Sequence, residues 1–377
     1  MNICVVSFII SKAFQTPLRN LISVLQSDTH TISVLYSTIE QFEKTSNTYP
    51  VKWKKIPFTK PKHILLYGFM YMLLQIRIAY SILNQSKDID TYLFFMEGVG
   101  LLPMIAVKLL NKKIIWMLPS SIIMAHTSKK KIGSHFIFKY SQSICARLST
   151  LIILYSKNLI SVWNLERYVN KIRFAHEHYL DFSQFNNINQ YNKRKPVIGH
   201  IGRLSDEKGT MNFIKAIPKI LEEEKNVHFF IGGDGPLAND ILQFIHQNNL
   251  QDYITYSGWI KHDLLPEYLN DLKLLVITSL TEGLPNLMIE AMACGTPVVA
   301  TPVGSIPDVI TDESTGFIIS QNTPEQIKND VLRALTHSNI ETISLNAQQF
   351  IKQTFNYEIT IEQFQQVLLV QKNENLI

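Results

Sequence analysis

Two glutamates in the stretch "TSLTEGLPNLMIEAMACGTPVVAT", residues 278–301, are the first candidates for a functional site. Glu282 stands beside a glycine in a predicted loop, whereas Glu290 is surrounded by Leu, Met, Ile and Ala residues that indicate a buried helix. A buried carboxylate is costly unless it gains partners. On this helix Glu290 could accept hydrogen bonds from a ribose diol, or it could form a structural salt bridge.

Two cations occupy an earlier loop, in "GHIGRLSDEKGT", residues 199–210. Gly202 permits a tight turn after a strand, and Gly209 allows close backbone approach before the next helix. Arg203 offers a planar fork that matches phosphate oxygens, and Lys208 offers a mobile point charge. The loop is a candidate phosphate site, although two solvated side chains flanking a turn would give the same pattern.

A helix start completes the candidate anion site. The apolar helix is predicted to begin around Pro285–Asn286, because proline is favoured in the first helical turn. Its free backbone N–H groups and positive dipole end would attract an anion. Arg203, Lys208 and this helix start could hold a diphosphate together, with Glu282 beside it facing neutral hydroxyl groups.

Each of these motifs follows a predicted strand, as does the glycine turn "IGGDGP", residues 231–236, which could approach either a ligand or another backbone segment. Apolar strands without alternation, separated by helices, indicate parallel sheets covered on both faces. Such sheets bind ligands beyond the carboxyl ends of their strands. The predicted strands are "NICVVSFII", "TISVLYS", "TYLFFM", "KIIWML", "TLIILYS", "PVIGHIG", "VHFFIGG", "YITYSG", "LLVITS", "PVVAT" and "TGFIIS".

The length of 377 residues allows two domains. A polar segment, "NNINQYNKRKP" at residues 186–196, ends in proline and is the best candidate for a linker. The alternation of strands and helices restarts after it. The sequence therefore predicts an α/β chain with two doubly wound domains.

The composition favours folded cores in a reducing compartment. The chain is 46% apolar and 18% charged, which makes wholesale disorder improbable. Cys4, Cys145 and Cys294 lie far apart, without the spacing of a metal site or a disulfide framework. Met1 is followed by an apolar run without a basic leader, so we expect a first buried strand rather than a signal peptide.

The charge is distributed unevenly along the chain. Residues 1–195 hold 25 Lys and Arg against 9 Asp and Glu, a net of +16, whereas residues 196–377 hold 11 against 22, a net of −11. The basic half could meet nucleic acid, an anionic membrane surface or a phosphate-bearing substrate, or it could be a solvated face without a partner.

A membrane surface is the partner that the apolar segments favour. Residues 64–83, "ILLYGFMYMLLQIRIAYSIL", are predicted to form a core or interfacial helix rather than a span, because their uninterrupted apolar part ends at Leu74. Basic clusters adjoin this stretch and "SHFIFKYSQSI", as an interfacial patch requires. The clusters consist of Lys52, Lys54, Lys55, Lys60 and Lys62, and of Lys129, Lys130 and Lys131.

The motifs "GRLxxxKG", "GGDGP" and "EGLPNLMIEAMACGTPVVATPVGSIPDVI" resemble the nucleotide-sugar half of the retaining glycosyltransferases of family 4, also called group 1. Glu282 and Glu290 match the E-x7-E element of that family. The resemblance is specific over residues 197–320. It implies the GT-B fold: an acceptor-side domain at 1–190 and a nucleotide-sugar domain at 196–345, both Rossmann-like and facing a cleft, with a C-terminal helix in 346–377 that crosses back.

The resemblance also implies roles for single residues. Arg203 and Lys208 would contact the donor diphosphate, Glu282 the hydroxyls of the donor sugar and Glu290 the ribose. The remaining donor-binding positions would be Gly202, Gly283, Leu284, Pro285 and Asn286. The family needs no metal, since cations and a helix dipole stabilise the leaving diphosphate. Asp88-Ile89-Asp90 lies immediately before the predicted strand "TYLFFM" and is interpreted as a strand-entry turn rather than a metal site.

The first half departs from the family pattern. The first strand is followed by "SFIISKAFQTP" without a glycine-rich loop, and "PSS" stands where many members carry a histidine. Glu97-Gly98 and His126 are the remaining candidates for the acceptor side. A plain surface or core role is the better interpretation of His126.

The expected function is transfer of a sugar from a nucleoside diphosphate sugar to a saccharide or lipid-linked acceptor, with retention. Surface polysaccharide or glycoconjugate biosynthesis, a cytoplasmic location with peripheral contact to an anionic membrane, and no nucleic-acid partner follow as expectations. Two alternatives stay open: a nucleotide-sugar epimerase or another enzyme of this architecture, and a non-catalytic subunit that binds nucleotide sugar for a partner transferase.

Overall fold

The structure is a computed structural model that describes residues 1–10, 12–26, 31–38, 51–59, 61, 64–85, 88–95, 100–119 and 132–373. The chain divides into two compact units, one formed by Met1–Tyr179 with Tyr357–Ile377 and one formed by Leu180–Asn356. The segment 186–196, predicted to be a linker, therefore lies inside the second unit.

Over its described residues, the first unit is built on a parallel sheet of seven strands in the order β3-β2-β1-β4-β5-β6-β7. Inner strands such as Leu151–Leu154 are buried at every position, which explains their unbroken apolar sequences. The strands are β1 (Asn2–Ile10), β2 (Thr31–Thr38), β3 (Val51–Lys55), β4 (Thr91–Phe95), β5 (Lys113–Leu118), β6 (Leu151–Leu154) and β7 (Ile172–Phe174).

Six helices lie in the part of the first unit that the structure describes. The last of them packs on the first: the hydroxyl of Tyr357 donates to the carbonyl of Ser23 at 3.3 Å. The helix that joins this unit from the C-terminus thus begins at Tyr357, later than residue 346. The helices are α1 (Lys12–Gln26), α2 (Ile64–Gln85), α3 (Leu101–Leu109), α4 (Ile132–Leu148), α5 (Asn158–Val162) and α13 (Tyr357–Asn373).

The second unit contains a parallel sheet of six strands in the order β10-β9-β8-β11-β12-β13. Its core lies between this sheet and the helices that pack on it, with Phe213, Phe229 and Phe317 fully buried. The strands are β8 (Val197–Ile201), β9 (His228–Gly232), β10 (Ile254–Gly258), β11 (Leu274–Ile277), β12 (Val298–Ala300) and β13 (Phe317–Ile318). The helices are α6 (Thr210–Glu223), α7 (Ala238–Gln247), α8 (Leu265–Asp271), α9 (Asn286–Ala293), α10 (Ile306–Val309), α11 (Pro324–Leu335) and α12 (Ile340–Thr354).

The strand order of the second sheet determines where a ligand can bind. The chain proceeds outward from β8 to β10 on one side and from β11 to β13 on the other, so the order reverses between β8 and β11. In open parallel sheets a crevice opens beyond the carboxyl ends of the strands at such a point. The predicted α/β class with two doubly wound units is confirmed.

Candidate functional site

Two loops meet at the carboxyl ends of β8 and β11, where the strand order reverses. The hydroxyl of Thr278 donates to the carbonyls of Lys208 and Gly209, each at 3.1 Å, and the amide of Leu280 donates to the carbonyl of Glu207 at 2.8 Å. These bonds tie the loop after β8 to the loop after β11. The two cation and carboxylate motifs of the sequence are thereby brought together.

Gly209 makes this approach possible. Its φ is +62°, and a Cβ built there would lie 2.0 Å from the carbonyl oxygen of Thr278. No side chain fits in that space, so the glycine is required by packing as well as by its backbone conformation. The close backbone approach predicted for Gly209 is therefore an approach to Thr278, directly after the neighbouring strand β11.

Lys208 and Glu282 form an ion pair in this crevice. The Nζ of Lys208 lies 2.6 Å from Oε1 of Glu282, and the same oxygen accepts a hydrogen bond from the hydroxyl of Ser279 at 2.6 Å. Glu282 is largely buried, whereas Lys208 is partly open to solvent. An ion pair with one partner largely buried is stronger than an ion pair that is fully exposed to solvent. Two residues that the resemblance assigns to different parts of a donor are thus in contact.

The helix that follows Glu282 begins where the sequence predicted. Pro285 precedes the first residue of α9, Asn286, and the carbonyl of Pro285 accepts from the amides of Met288 and Ile289. The first turn of α9 therefore presents N–H groups at the same edge of the sheet as Lys208. This edge combines a cation with a positive helix end, as an anion site requires.

Gly304 supports this loop from behind. A Cβ on Gly304 would lie 2.3 Å from the carbonyl oxygen of Glu282 and 2.6 Å from that of Gly283. The amide of Ser305 donates to the carbonyl of Gly283 at 2.8 Å. The loop that carries Glu282 is therefore held by backbone contacts, which fix the position of its carboxylate.

Arg203 extends from the same loop as Lys208 but is exposed. Among the contacts that the structure describes, none engages its guanidinium group. Its neighbour Gly202 has a φ of +144° and packs against Gly233, where a Cβ would lie 1.8 Å from the carbonyl oxygen of Gly202. The "IGGDGP" turn thus approaches another backbone segment, and it supports the loop from which Arg203 projects.

Glu290 is buried on α9 and is paired with a histidine that the sequence analysis did not identify. Its Oε1 lies 2.8 Å from Nε2 of His262, and the His262 ring packs against Phe185 with centroids 5.4 Å apart. The hydrogen bond to Glu290 raises the pKa of His262 above its ordinary value. His262 lies in a short 3-10 turn after β10, where no periodic pattern indicates a contact.

Cys294 and Arg194 lie behind the site. The carbonyl of Cys294, directly after α9, accepts from the guanidinium of Arg194 at 2.7 Å, and burial raises the pKa of the Cys294 thiol to about 12. The thiol is therefore neutral and serves as part of the core. The end of α9 is held in place by the segment that the sequence suggested as a linker.

Within the described residues, no group of three or more His, Cys, Asp or Glu side chains could hold a metal ion. The candidate triplet Asp88-Ile89-Asp90 precedes β4, and the carboxylate of Asp90 accepts from the amide of Asn2 at 2.9 Å. The triplet therefore joins the starts of β1 and β4.

Some residues that the sequence suggested for the acceptor side and for the membrane surface lie outside the described residues. They are Glu97-Gly98 and His126 for the acceptor side, and Lys60, Lys62 and Lys129–Lys131 for the membrane surface.

The arrangement in the second unit could bind a ligand that is anionic at one end and carries hydroxyls at the other. Lys208, Arg203 and the start of α9 provide positive charge, while Glu282 and Glu290 accept hydrogen bonds. Cations and backbone N–H groups suit phosphate oxygens, and carboxylates suit sugar hydroxyls.

The sequence of the second unit matches a known family. Residues 181–354 fit the family model described as glycosyl transferases group 1. Alpha-D-kanosaminyltransferase from Streptomyces kanamyceticus is 30% identical over 132 residues, which cover 35% of this chain and 34% of that protein. The GPI3 subunit of phosphatidylinositol N-acetylglucosaminyltransferase from Saccharomyces cerevisiae is 30% identical over 154 residues, covering 40% and 34%. The chain thus matches about a third of the length of these relatives.

The fold comparison extends over both units. A crystal structure of Anabaena HepE in complex with UDP and glucose superposes with a TM-score of 0.72 at 17% identity, covering 96% of this chain and 98% of that one. The two parallel sheets with their helices are those of the GT-B glycosyltransferase structures. The GT-B fold class expected from the sequence is confirmed.

Proposed function

We propose that this chain is a glycosyltransferase that transfers a sugar from a nucleoside diphosphate sugar to a saccharide or lipid-linked acceptor. The proposal rests on the ion pair between Lys208 and Glu282 beside the start of α9, in which Nζ lies 2.6 Å from Oε1. This pair lies in the unit that matches the group 1 family model. Cation, carboxylate and helix start meet at the edge of the sheet where such folds bind ligands.

The donor diphosphate is assigned to Lys208, Arg203 and the first turn of α9. The Lys208 ammonium has three donors, so it can keep its bond to Glu282 while it donates to a phosphate oxygen. Arg203 is exposed, and none of the described contacts engages its guanidinium group, so it can bind a phosphate without breaking one of them. Its planar fork can hold two oxygens of one phosphate. Gly202, Gly283 and Leu284 supply backbone around the ligand.

The donor sugar is assigned to Glu282 and the ribose to Glu290. Ser279 and Lys208 both bond Oε1 of Glu282, so sugar hydroxyls are expected to donate to Oε2. His262 bonds Oε1 of Glu290, and the ribose diol is likewise expected at Oε2. In this arrangement neither carboxylate loses its existing partner when a donor binds.

The reaction breaks the bond between the anomeric carbon and the diphosphate oxygen and forms a bond from that carbon to an acceptor hydroxyl. The diphosphate leaves with the bonding electrons, and its oxygen takes up the proton that the acceptor hydroxyl loses. Preorganised cations and N–H groups stabilise the charge that develops on the leaving group. We propose that this stabilisation needs no metal and that the anomeric configuration is retained.

The named relatives support a choice of substrates. The structure of HepE contains UDP and glucose, which makes uridine diphosphate sugars the first donors to test. The GPI3 relative belongs to a phosphatidylinositol N-acetylglucosaminyltransferase, which supports a lipid-linked acceptor. A cytoplasmic enzyme of surface glycoconjugate synthesis, in contact with the membrane face, fits these choices. Relatives named as transferases do not favour the epimerase or the non-catalytic subunit.

The test is a screen of uridine, guanosine and adenosine diphosphate sugars with the full chain, with and without a chelator. Transferases hydrolyse their donor slowly when no acceptor is present, so we expect release of nucleoside diphosphate from one donor class, unchanged by chelation. The anomeric configuration of the released sugar, read by NMR at early times, tests retention. Conversion of the donor to another nucleotide sugar without release would identify an epimerase, and release that requires manganese or magnesium would contradict the metal-free account.

A further inference from the structure

Helix α2 exposes an apolar face along its whole described length. Six large side chains, spaced three or four positions apart, lie on one side of the helix, and each is between 47% and 69% exposed. This spacing places them on one stripe of an α-helix. The six residues are Leu66, Phe69, Met72, Ile76, Tyr80 and Leu83.

The opposite side of α2 is part of the core of the first unit. Leu74, Ile78 and Ile82 are almost fully buried, and they too are spaced four positions apart. A surface helix normally shows solvent a polar face, and a helix that is apolar all round is normally buried all round. Helix α2 is apolar on both sides, but only one side is buried. Its outer apolar stripe is therefore exposed to solvent in the isolated chain.

Helix α3 continues the exposed apolar surface. It packs beside α2, and the amide of Leu102 in its first turn donates to the Oε1 of Gln75 at 3.2 Å. Leu102, Ile105 and Leu109 are exposed and spaced three and four positions apart, with Leu109 at 76%. We call these three residues and the six of α2 the apolar face.

The segment that carries the apolar face is strongly basic. Residues 51–119 contain ten Lys and Arg against three Asp and Glu. Edge strand β3, which precedes α2, exposes Lys52, Lys54 and Lys55. On α3, Lys108 is exposed beside Leu109. An exposed apolar surface in a region of positive charge has the composition of a surface that binds anionic lipid.

We propose that the apolar face docks the first unit onto an anionic lipid bilayer, with α2 lying in the interface. Helix α2 is long and apolar enough to cross a membrane by length and composition. Its buried side packs in the protein, however, and Nη1 of Arg77, near its middle, donates to the carbonyl of Pro57 at 2.9 Å. The stripe therefore enters the headgroup boundary while the rest of the helix stays on the sheet.

The charge also disfavours a second copy of this chain as the occupant. A two-fold dimer joins identical surfaces, so the basic segment would face itself across the interface. Like charges in contact oppose association, whereas anionic headgroups neutralise them. The proposal is independent of the glycosyltransferase activity, because it uses no residue of the candidate site.

The test is co-sedimentation of the full chain with vesicles of phosphatidylcholine alone or mixed with phosphatidylglycerol, at low and high salt. The apolar variant replaces Phe69, Met72 and Ile76 with serine, and the charge variant replaces Lys52, Lys54 and Lys55 with serine. None of the six side chains is buried, so both variants should stay folded, and a cooperative thermal transition of each variant verifies this. The control variant carries Leu242→Ser and Leu345→Ser, two exposed apolar residues of the second unit.

We expect the wild type and the control variant to sediment with phosphatidylglycerol vesicles at low salt and to be released by high salt. The apolar variant should lose about tenfold or more in apparent vesicle affinity, because less apolar surface enters the bilayer. The charge variant should lose binding to anionic vesicles specifically.

Wild-type protein that stays in the supernatant with both kinds of vesicle would overturn the proposal. So would vesicle binding that the apolar variant retains in full. A wild-type dimer in solution that becomes monomeric in the apolar variant, without vesicle binding, would assign the face to a second copy instead. An active transferase that does not sediment would refute this inference alone.

Discussion

The Nζ of Lys208 lies 2.6 Å from Oε1 of Glu282, although 74 positions separate the two residues in the sequence. Neighbouring strands β8 and β11 end at the same edge of the sheet, and the bonds of Thr278 join the loops that follow them. The lysine compensates the negative charge of a carboxylate that is largely buried. It also leaves the lysine able to donate to a second acceptor.

Glu282→Gln should reduce transfer or donor hydrolysis by about a hundredfold or more, which corresponds to about 3 kcal/mol of transition-state stabilisation. Affinity for nucleoside diphosphate should stay within a factor of about three or become tighter, because the substitution removes a negative charge beside Lys208. Turnover assays and calorimetry separate the two effects. Exposed Glu222 provides the matched control as Glu222→Gln. Wild-type turnover in Glu282→Gln would remove this carboxylate from the reaction.

His262→Ala should lower the melting temperature more at acidic than at alkaline pH. Glu290 raises the pKa of His262, so the stability from this pair is fully present below the ordinary pKa of histidine and is lost as pH rises through the raised value. The His262 side chain is 61% exposed, so the loss should be only about 1–2 °C near pH 6. His262→Gln, which can still donate to Glu290, should lose less than His262→Ala at alkaline pH, but its loss should also grow towards acidic pH, because the titrating group is the wild-type histidine. A loss that is equal at both pH values would contradict the ion pair.

The sequence could predict the parts of the site that depend on local pattern. Unbroken apolar runs indicated buried parallel strands, and the start of α9 at Asn286 followed from Pro285. It could not predict His262, because a turn residue has no periodicity and its contact with Glu290 depends on the packing of separate elements. Strand β3 was also missed, since its lysines are typical of a loop and only its edge position explains them.

Arg194 shows why the polar segment 186–196 was misleading. The sequence there has the composition of a linker, yet the Arg194 guanidinium is buried in the second unit. It donates to several carbonyl and side-chain oxygens of that unit. The acceptors are the carbonyls of Asn189, Leu269, Leu272 and Cys294, the hydroxyl of Thr296 and the amide oxygen of Asn187.

Arg194→Met should destabilise the second unit by about 3–5 kcal/mol, because it leaves buried acceptors without a donor. Arg194→Lys should recover little of the lost stability, since an ammonium lacks the planar fork of the guanidinium. Exposed Lys195 provides the control as Lys195→Met, which should change stability by less than about 0.5 kcal/mol. Urea denaturation of the three variants gives the comparison. Equal stability of Arg194→Met and Lys195→Met would show that the segment is not part of the folded unit.

Glu177→Gln should stabilise the first unit increasingly as pH rises. Burial raises the pKa of Glu177 to about 8, despite the nearby hydroxyl of Tyr155. A raised carboxyl pKa contributes stability that is present below the ordinary value near 4.5 and is lost as pH rises through 8. The melting temperature of the wild type should therefore fall relative to Glu177→Gln between about pH 5 and pH 9, by about 2–4 °C for each kcal/mol. Exposed Glu166→Gln is the control, and a parallel response of both variants would contradict the buried neutral carboxyl.

The central claim is that the loops after β8 and β11 bind the diphosphate of a nucleotide sugar. Calorimetric titration with uridine, guanosine and adenosine diphosphates measures this most directly, on the wild type, Lys208→Met and Lys219→Met. Lys219 is a lysine of the same unit, paired with Glu325 on the surface, and serves as the matched control. We expect at least one diphosphate to bind the wild type and the control equally, and Lys208→Met to bind it about tenfold or more weakly, a loss of about 1.4 kcal/mol. Equal affinity of Lys208→Met and Lys219→Met, or no binding of any diphosphate to the wild type, would contradict the account.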